Sequence, residues 1–155
     1  MATFVLVHGA YQGGWIWGLV RERLEANGHR VYAPSLDGCG ERAHSLRHGI
    51  TTETHGAEIA ALLEMEDLTD VVMVATSSGG MVMAAAAERA RDRISRLVFA
   101  DALALTDGEK IRDIITQPSS IETDLAVGRS TEDAATGLFK DLEPDLRQWA
   151  VDRLT

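Results

Sequence analysis

Apolar and polar positions change their period several times along this chain, and each change marks an element. Phe4-Val5-Leu6-Val7 is a short unbroken apolar run closed by His8-Gly9, the pattern of a strand covered on both faces. Trp15, Ile16, Leu19, Val20 and Leu24 then recur at helical spacing, and Asn27-Gly28 supplies a stop. Arg30 to Ala33 predicts a second strand, ended by Pro34. Ser35 to Ile50 mixes turn formers and charges without a period and reads as loop. From Thr52 to Glu66, Ile59, Leu62 and Leu63 share one face of a predicted helix. Val71-Val72-Met73-Val74, within Asp70 to Ala75, is a third buried strand. The Ala- and Met-rich stretch Gly79 to Arg91 predicts a helix lying close on the sheet, and Ile94 to Ala100 a fourth strand.

Alternation of this kind implies an α/β fold, a parallel sheet with right-handed crossovers and helices on both faces. After Leu103 the character changes. Residues 106–155 carry short helical patterns (Ile111, Ile114, Ile115; Leu138, Phe139, Leu142; Leu146, Trp149, Ala150), broken by Pro118 and Pro144, with no strand signal. They read as a helical segment over one end of the sheet. An ordinary helical subdomain fits the same composition.

A chain of 155 residues is long enough for one core, and 45% hydrophobic with 25% charged residues is ordinary globular composition. The net charge of −9 argues against nucleic acid and against an anionic membrane surface, both of which select clustered Lys and Arg. A lone cysteine, Cys39, gives no disulfide framework, and no H-E-x-x-H or C-x-x-C spacing offers a metal site. The N-terminal apolar run is too short for a signal-peptide core or a membrane span, so a cytoplasmic protein is expected.

The candidate chemistry begins at Val74-Ala75-Thr76-Ser77-Ser78-Gly79-Gly80-Met81, where a buried strand passes into a helix with no loop to spare. A nucleophile held on such a turn needs small residues two positions before and after it. Ala75-x-Ser77-x-Gly79 meets that demand, with Ala in place of the first Gly of G-x-S-x-G. Centring the motif on Ser78 would put Thr76 where a small residue is wanted. The helix N-terminus adds positive partial charge, and the Ser78 N–H points to where an oxyanion would form. Thr76, Ser77 and Ser78 acting only as helix caps is the blander alternative. The loop His8-Gly9-Ala10-Tyr11-Gln12-Gly13-Gly14-Trp15 supplies a second feature. Its strand is expected beside the third, at the point where the connections reverse direction and α/β sheets bind ligands. From there the Ala10 N–H can reach the same oxyanion.

H-G-A-x-x-G-G-W, then G-x-G-E-R at Gly38 to Arg42, then the serine turn followed by Gly-Gly-Met-Val, resembles the α/β-hydrolase superfamily. More narrowly, it resembles the branch of small bacterial carboxylesterases, plant methylesterases and hydroxynitrile lyases. The resemblance extends over residues 3 to about 105. It implies that residues 1–105 are the N-terminal part of the hydrolase core and 106–155 a helical cap segment. It also implies that Ser77 attacks an acyl carbon while the amides of Ala10 and Ser78 hold the oxyanion. Two departures stand out. Ala75-Thr76 replace the usual Gly-His before the serine. The family's acid and catalytic histidine come late, after two further strands, and have no counterpart here.

None of the five histidines substitutes convincingly as base. His8 ends the first strand and is expected to shape the oxyanion loop. His29 precedes the second strand, and His44, His48 and His55 fall in the long loop or at a helix start. The expectation is therefore a fragment, or one of two pieces of a cleaved or interrupted polypeptide, whose C-terminal fragment would bring acid and histidine. Asp101, ending the fourth strand, is an alternative acid.

The reading that follows is a cofactor-independent serine hydrolase acting on a small carboxylic ester through an acyl-enzyme. Its partners would be the ester, the C-terminal fragment and neither nucleic acid nor membrane; a homodimer stays open. A hydroxynitrile-lyase-like C–C lyase, or a silent ligand-binding homologue, is the alternative. Gly38-Cys39-Gly40-Glu41-Arg42-Ala43 imitates a dinucleotide fingerprint, but follows the second strand and opens no helix; Glu41-Arg42 are expected to anchor the loop. Of Trp15 and Trp17, one is expected in the core and the other nearer the surface. Met81 and Met83 are expected as core filler.

Overall fold

Each apolar run of the N-terminal part becomes a strand of one parallel sheet. Strand β1 is Thr3–Val7, β2 Arg30–Tyr32, β3 Val71–Ser77 and β4 Ile94–Ala102, in the spatial order β2-β1-β3-β4. The computed structural model describes residues 1–114, 121–122, 125, 127–128 and 130–155. They divide into two units, Met1–Ala104 and Leu105–Thr155.

Between the strands run helices α1, Gly18–Ala26, α2, Thr52–Met65, and α3, Gly79–Arg89. Helix α2 starts at a reciprocal cap. Thr51 Oγ accepts from the Thr54 N–H, and Thr54 Oγ accepts from the Thr51 N–H. Helices α2 and α3 pack closely because Gly56 has no side chain: a Cβ there would stand 2.6 Å from Ala85 Cβ. Register fixes which strand residues meet them. Val5 lies opposite Met73, and Val7 opposite Ala75. Val5, Val7, Val71, Met73 and Ala75 share a cluster with Ile59 and Leu63 of α2 and Val82, Met83 and Ala86 of α3. Burying each large side chain of that cluster is worth roughly 1.5–3 kcal/mol. The other sheet face carries Phe4, Leu6, Val72 and Val74; Leu6 is fully buried, but Val72 and Val74 only half-buried.

Several element ends differ from the sequence expectation: β2 stops at Tyr32 rather than Ala33, α2 at Met65 rather than Glu66, and β3 runs Val71–Ser77 rather than Asp70 to Ala75. The first helical stretch opens as a 3-10 turn, Gly14–Trp17, before α1. The long loop contains a 3-10 helix, Gly40–Ser45, held by polar side chains and so invisible to an apolar period. Helix α3 ends at Arg89, followed by a 3-10 turn at Arg91–Arg93, and β4 runs on to Ala102.

The second unit holds α4, Ile111–Ile114, strands β5, Ile121–Glu122, and β6, Val127–Gly128, then α5, Thr131–Asp133, running into a π-helical turn, Ala134–Leu138, and last α6, Pro144–Val151. The antiparallel pairing of β5 with β6 corrects the expectation of a segment without strands; two-residue strands are too short to show a period. Pro144 does not break a helix but begins one, in the first turn, where its missing N–H costs nothing. Ile115 and Pro118 lie outside the described residues. Among the described residues no helix is long and apolar enough to cross a membrane.

Candidate active site

The C-terminal ends of β1, β3 and β4 meet at the switch point between β1 and β3. Ser77, the last residue of β3, adopts φ = +50°, a left-handed conformation uncommon for a non-glycine residue, which Tyr11, Asp67, Asp70 and Asp101 share. Its side chain is exposed. Ser78 is the N-cap of α3, and its side chain makes no capping hydrogen bond. The turn is therefore not built for capping by Ser78.

Small residues make this turn possible. Ala75 is fully buried beneath it. At Gly79 a Cβ would fall 2.4 Å from the His8 carbonyl oxygen, and at Gly80 2.3 Å from that of Leu103. Gly9 faces the serine directly: a Cβ on it would lie 2.7 Å from Ser77 Cβ and 3.3 Å from Ser77 Oγ. The Ser77 hydroxyl thus stands over the start of the first loop. That loop is folded back by Gln12, whose side-chain oxygen accepts the Gly9 N–H at 3.0 Å, and Tyr11 takes φ = +64°. With Gly9 engaged, the amides of Ala10 and Ser78 are left without a protein acceptor among the described residues.

His8 is 1% exposed and has both ring nitrogens in use. Nε2 accepts the Leu36 N–H at 3.0 Å, so Nδ1 carries the hydrogen and donates to the Gly9 carbonyl at 2.7 Å. Burial holds its pKa below the usual histidine value. The ring is a neutral strut between the first loop and the segment after β2. Of the other histidines, His55 Nε2 contacts the Asp37 carbonyl at 2.9 Å, while His29 Nδ1 accepts the Ala2 N–H at the far end of the sheet. His44 and His48 are exposed. None of the five hydrogen-bonds to Ser77.

Sequence reasoning missed Ser35. It is 3% exposed, accepts the Gly14 N–H at 2.8 Å and donates to Glu41 Oε2 at 2.6 Å. That hydrogen bond is the main cause holding the Glu41 carboxyl below its usual pKa. Gly13 is tucked against the same hydroxyl, where a Cβ would meet it at 2.8 Å. Arg42 donates to the Ser35 carbonyl at 3.0 Å and pairs with Glu58 and Asp37. Asp37 in turn accepts from Ser45 and pairs with Arg47, and these bonds keep its carboxyl ionised to lower pH. The G-x-G-E-R stretch is thus an anchor tying the second loop to the first. Nothing in a one-dimensional pattern marks Ser35, because its hydroxyl joins Gly14 of the first loop to Glu41 of its own.

Asp101 also has positive φ, +49°, and is exposed. It directly precedes Ala102, the register partner of Ser77, and the Leu103 N–H donates to the Ser77 carbonyl at 2.9 Å. Trp17 is in the core and Trp15 half-buried; Met83 is fully buried, Met81 half-buried. Burial pushes the Cys39 thiol pKa up and so keeps it protonated.

The chain belongs to the α/β-hydrolase fold family, whose model matches residues 2–145. Its relatives include esterases, methylesterases and an α-hydroxynitrile lyase of Arabidopsis thaliana, 36% identical over 64% of this chain and 39% of its own length. A carbendazim hydrolyzing esterase of Nocardioides is 34% identical over 99% of this chain and 65% of its own length. Methylesterase 8 of Arabidopsis thaliana is 39% identical over 62% of this chain and 36% of its own length. Among solved structures, an extracellular α/β-hydrolase from Paenibacillus, described as sharing homology with tobacco salicylic acid binding protein 2, superposes with a TM-score of 0.77. It is 26% identical over 100% of this chain and 66% of its own. The chain thus spans about 65% of the length of the Nocardioides relative.

Proposed function

We propose that this chain forms the nucleophile-bearing part of a serine hydrolase acting on small carboxylic esters. The observation that carries the reading is Ser77 held at φ = +50° with its Oγ over Gly9 and ahead of α3. The esterase relatives favour the same chemistry.

In this mechanism Ser77 Oγ attacks the ester carbonyl carbon, and its proton passes to a histidine base. The carbonyl π electrons move onto oxygen, where the amides of Ala10 and Ser78 donate to it. Collapse expels the alcohol, which takes the proton from the histidine, and leaves an acyl group on Ser77. Water then repeats the cycle and frees the acid. His8, His29 and His55 have other partners, and His44 and His48 are exposed without a hydrogen bond to Ser77; in this reading the base is a histidine of a C-terminal part like that of the relatives, whose length this chain does not fully span. Asp101 is the alternative acid within the chain.

The test is a burst assay with a 4-nitrophenyl ester. The protein is this chain fused at Thr155 to the portion of the Nocardioides esterase that the chain does not span. A burst stoichiometric with protein, lost in Ser77→Ala, is expected. Turnover that survives Ser77→Ala overturns the assignment, and absence of any burst favours a silent binder.

A further inference from the structure

Strands β3 and β4 fall out of step beside the serine turn. Ala75 lies opposite Phe99, but Ser77 lies opposite Ala102, so two steps along β3 match three along β4. The extra residue makes a bulge, and within it Asp101 takes φ = +49°. Bulges next to active sites re-aim a side chain, and glycine is the usual occupant of a left-handed position in them. Here an aspartate holds it. Asp101 is exposed, and among the described residues no hydrogen bond or ion pair engages its carboxylate. Asp67, also left-handed, is by contrast paired with Arg93. The bulge is fastened by its backbone instead. The Leu103 N–H donates to the Ser77 carbonyl at 2.9 Å, and the Leu103 carbonyl closes on Gly80, where a Cβ would meet it at 2.3 Å. The Asp101 side chain is therefore not what holds the bulge.

We infer that Asp101 selects the charge of the substrate, favouring esters that carry a cationic group a few bonds from the carbonyl. The inference rests on the reading of Ser77 as the nucleophile. The strand order places β3, which ends in Ser77, between β1 and β4. The oxyanion is drawn to the β1 side, where Ala10 follows β1 and Gly9 lies against Ser77 Oγ. The organic groups on the same carbon then point away from β1. Asp101 is the charged residue that the C-terminal end of β4 presents on that side. A carboxylate without a cation beside it attracts a cationic substrate group and repels an anionic one. The preference is thus written by one side chain that the fold itself does not need.

The fusion described above tests this with two pairs of isosteric esters, in which a trimethylammonium group replaces a tert-butyl group. One pair is the 4-nitrophenyl esters of 4-(trimethylammonio)butanoic and 5,5-dimethylhexanoic acid. The other is the acetates of choline and of 3,3-dimethylbutanol, followed by acid release. In at least one pair the cationic ester is expected to show about tenfold higher kcat/KM at low salt, carried by KM and shrinking as salt is raised. Asp101→Asn and Asp101→Gly both suit left-handed backbone and are expected to erase that ratio. The chain as a whole is acidic, at −9, so Asp92→Asn is the control: it removes the same charge just before β4 and keeps the ratio. No preference in either pair overturns the inference. So does a preference that survives Asp101→Asn or is lost in Asp92→Asn. A fall of about a thousandfold or more in both members of a pair alike, in Asp101→Asn, also overturns it, because an acid that orients the histidine acts on every ester equally. Equal rates within each pair leave the hydrolase reading standing; no turnover of any ester removes that reading and the inference with it.

Discussion

Gly9 and Ser77 touch face to face, so closely that a methyl group on the glycine would sit 2.7 Å from the serine Cβ. Sixty-eight positions apart in sequence, they are brought together by the parallel pairing of β1 with β3, which ends at Val7 opposite Ala75. Gly9→Ala must displace either the serine or the loop. Overpacking at such a contact costs about 1–3 kcal/mol. In urea denaturation a loss of that size is expected, together with a slower ester burst in the fusion.

Ser77 itself pays a backbone penalty for its place. Left-handed φ costs a non-glycine residue about 1–2 kcal/mol, and glycine almost nothing. Ser77→Gly is therefore expected to raise the thermal midpoint slightly, or leave it unchanged, while removing the burst. A clear fall in stability would mean that the serine side chain has a structural role this account does not give it.

His8 sets a pH dependence. Its folded-state pKa is lowered from 6.5, chiefly by burial. The neutral ring's contribution to stability is therefore full above about pH 6.5 and is lost as pH falls through the lower folded value. Denaturation midpoints should decline from pH 7 toward pH 5, and His8→Gln should flatten that decline. His8→Ala leaves the buried Leu36 N–H unpaired and should cost about 1–3 kcal/mol at neutral pH.

Ser35→Ala removes both the acceptor of the Gly14 N–H and the donor to Glu41. A loss of about 1–2 kcal/mol is expected. Because the first loop is held by that hydroxyl, the burst rate should fall by more than Arg47→Ala lowers it. Arg47 is 62% exposed, so its ion pair with Asp37 is largely screened.

The sheet was legible because β1 and β3 are unbroken apolar runs and their order follows from alternation with helices. The serine turn was legible because its geometry demands small residues at Ala75 and Gly79, a local requirement written in consecutive positions. Ser35 and the neutral tautomer of His8 were not legible, since each depends on one partner more than twenty residues away. The 3-10 helix at Gly40–Ser45 and the β5–β6 hairpin escaped for a different reason: neither is long enough, or apolar enough, to impose a period. The exposure of Leu97, Val98 and Phe99 in β4 was hidden too, because an apolar run reads the same whether it is covered or not.

The most direct measurement is peptide mapping after reaction with a fluorophosphonate probe, made on the fusion with the Nocardioides segment. The account predicts one adduct per molecule, on the peptide containing Ser77, and none in Ser77→Ala. An adduct on Ser78 or on any other residue, or no adduct at all, would contradict it.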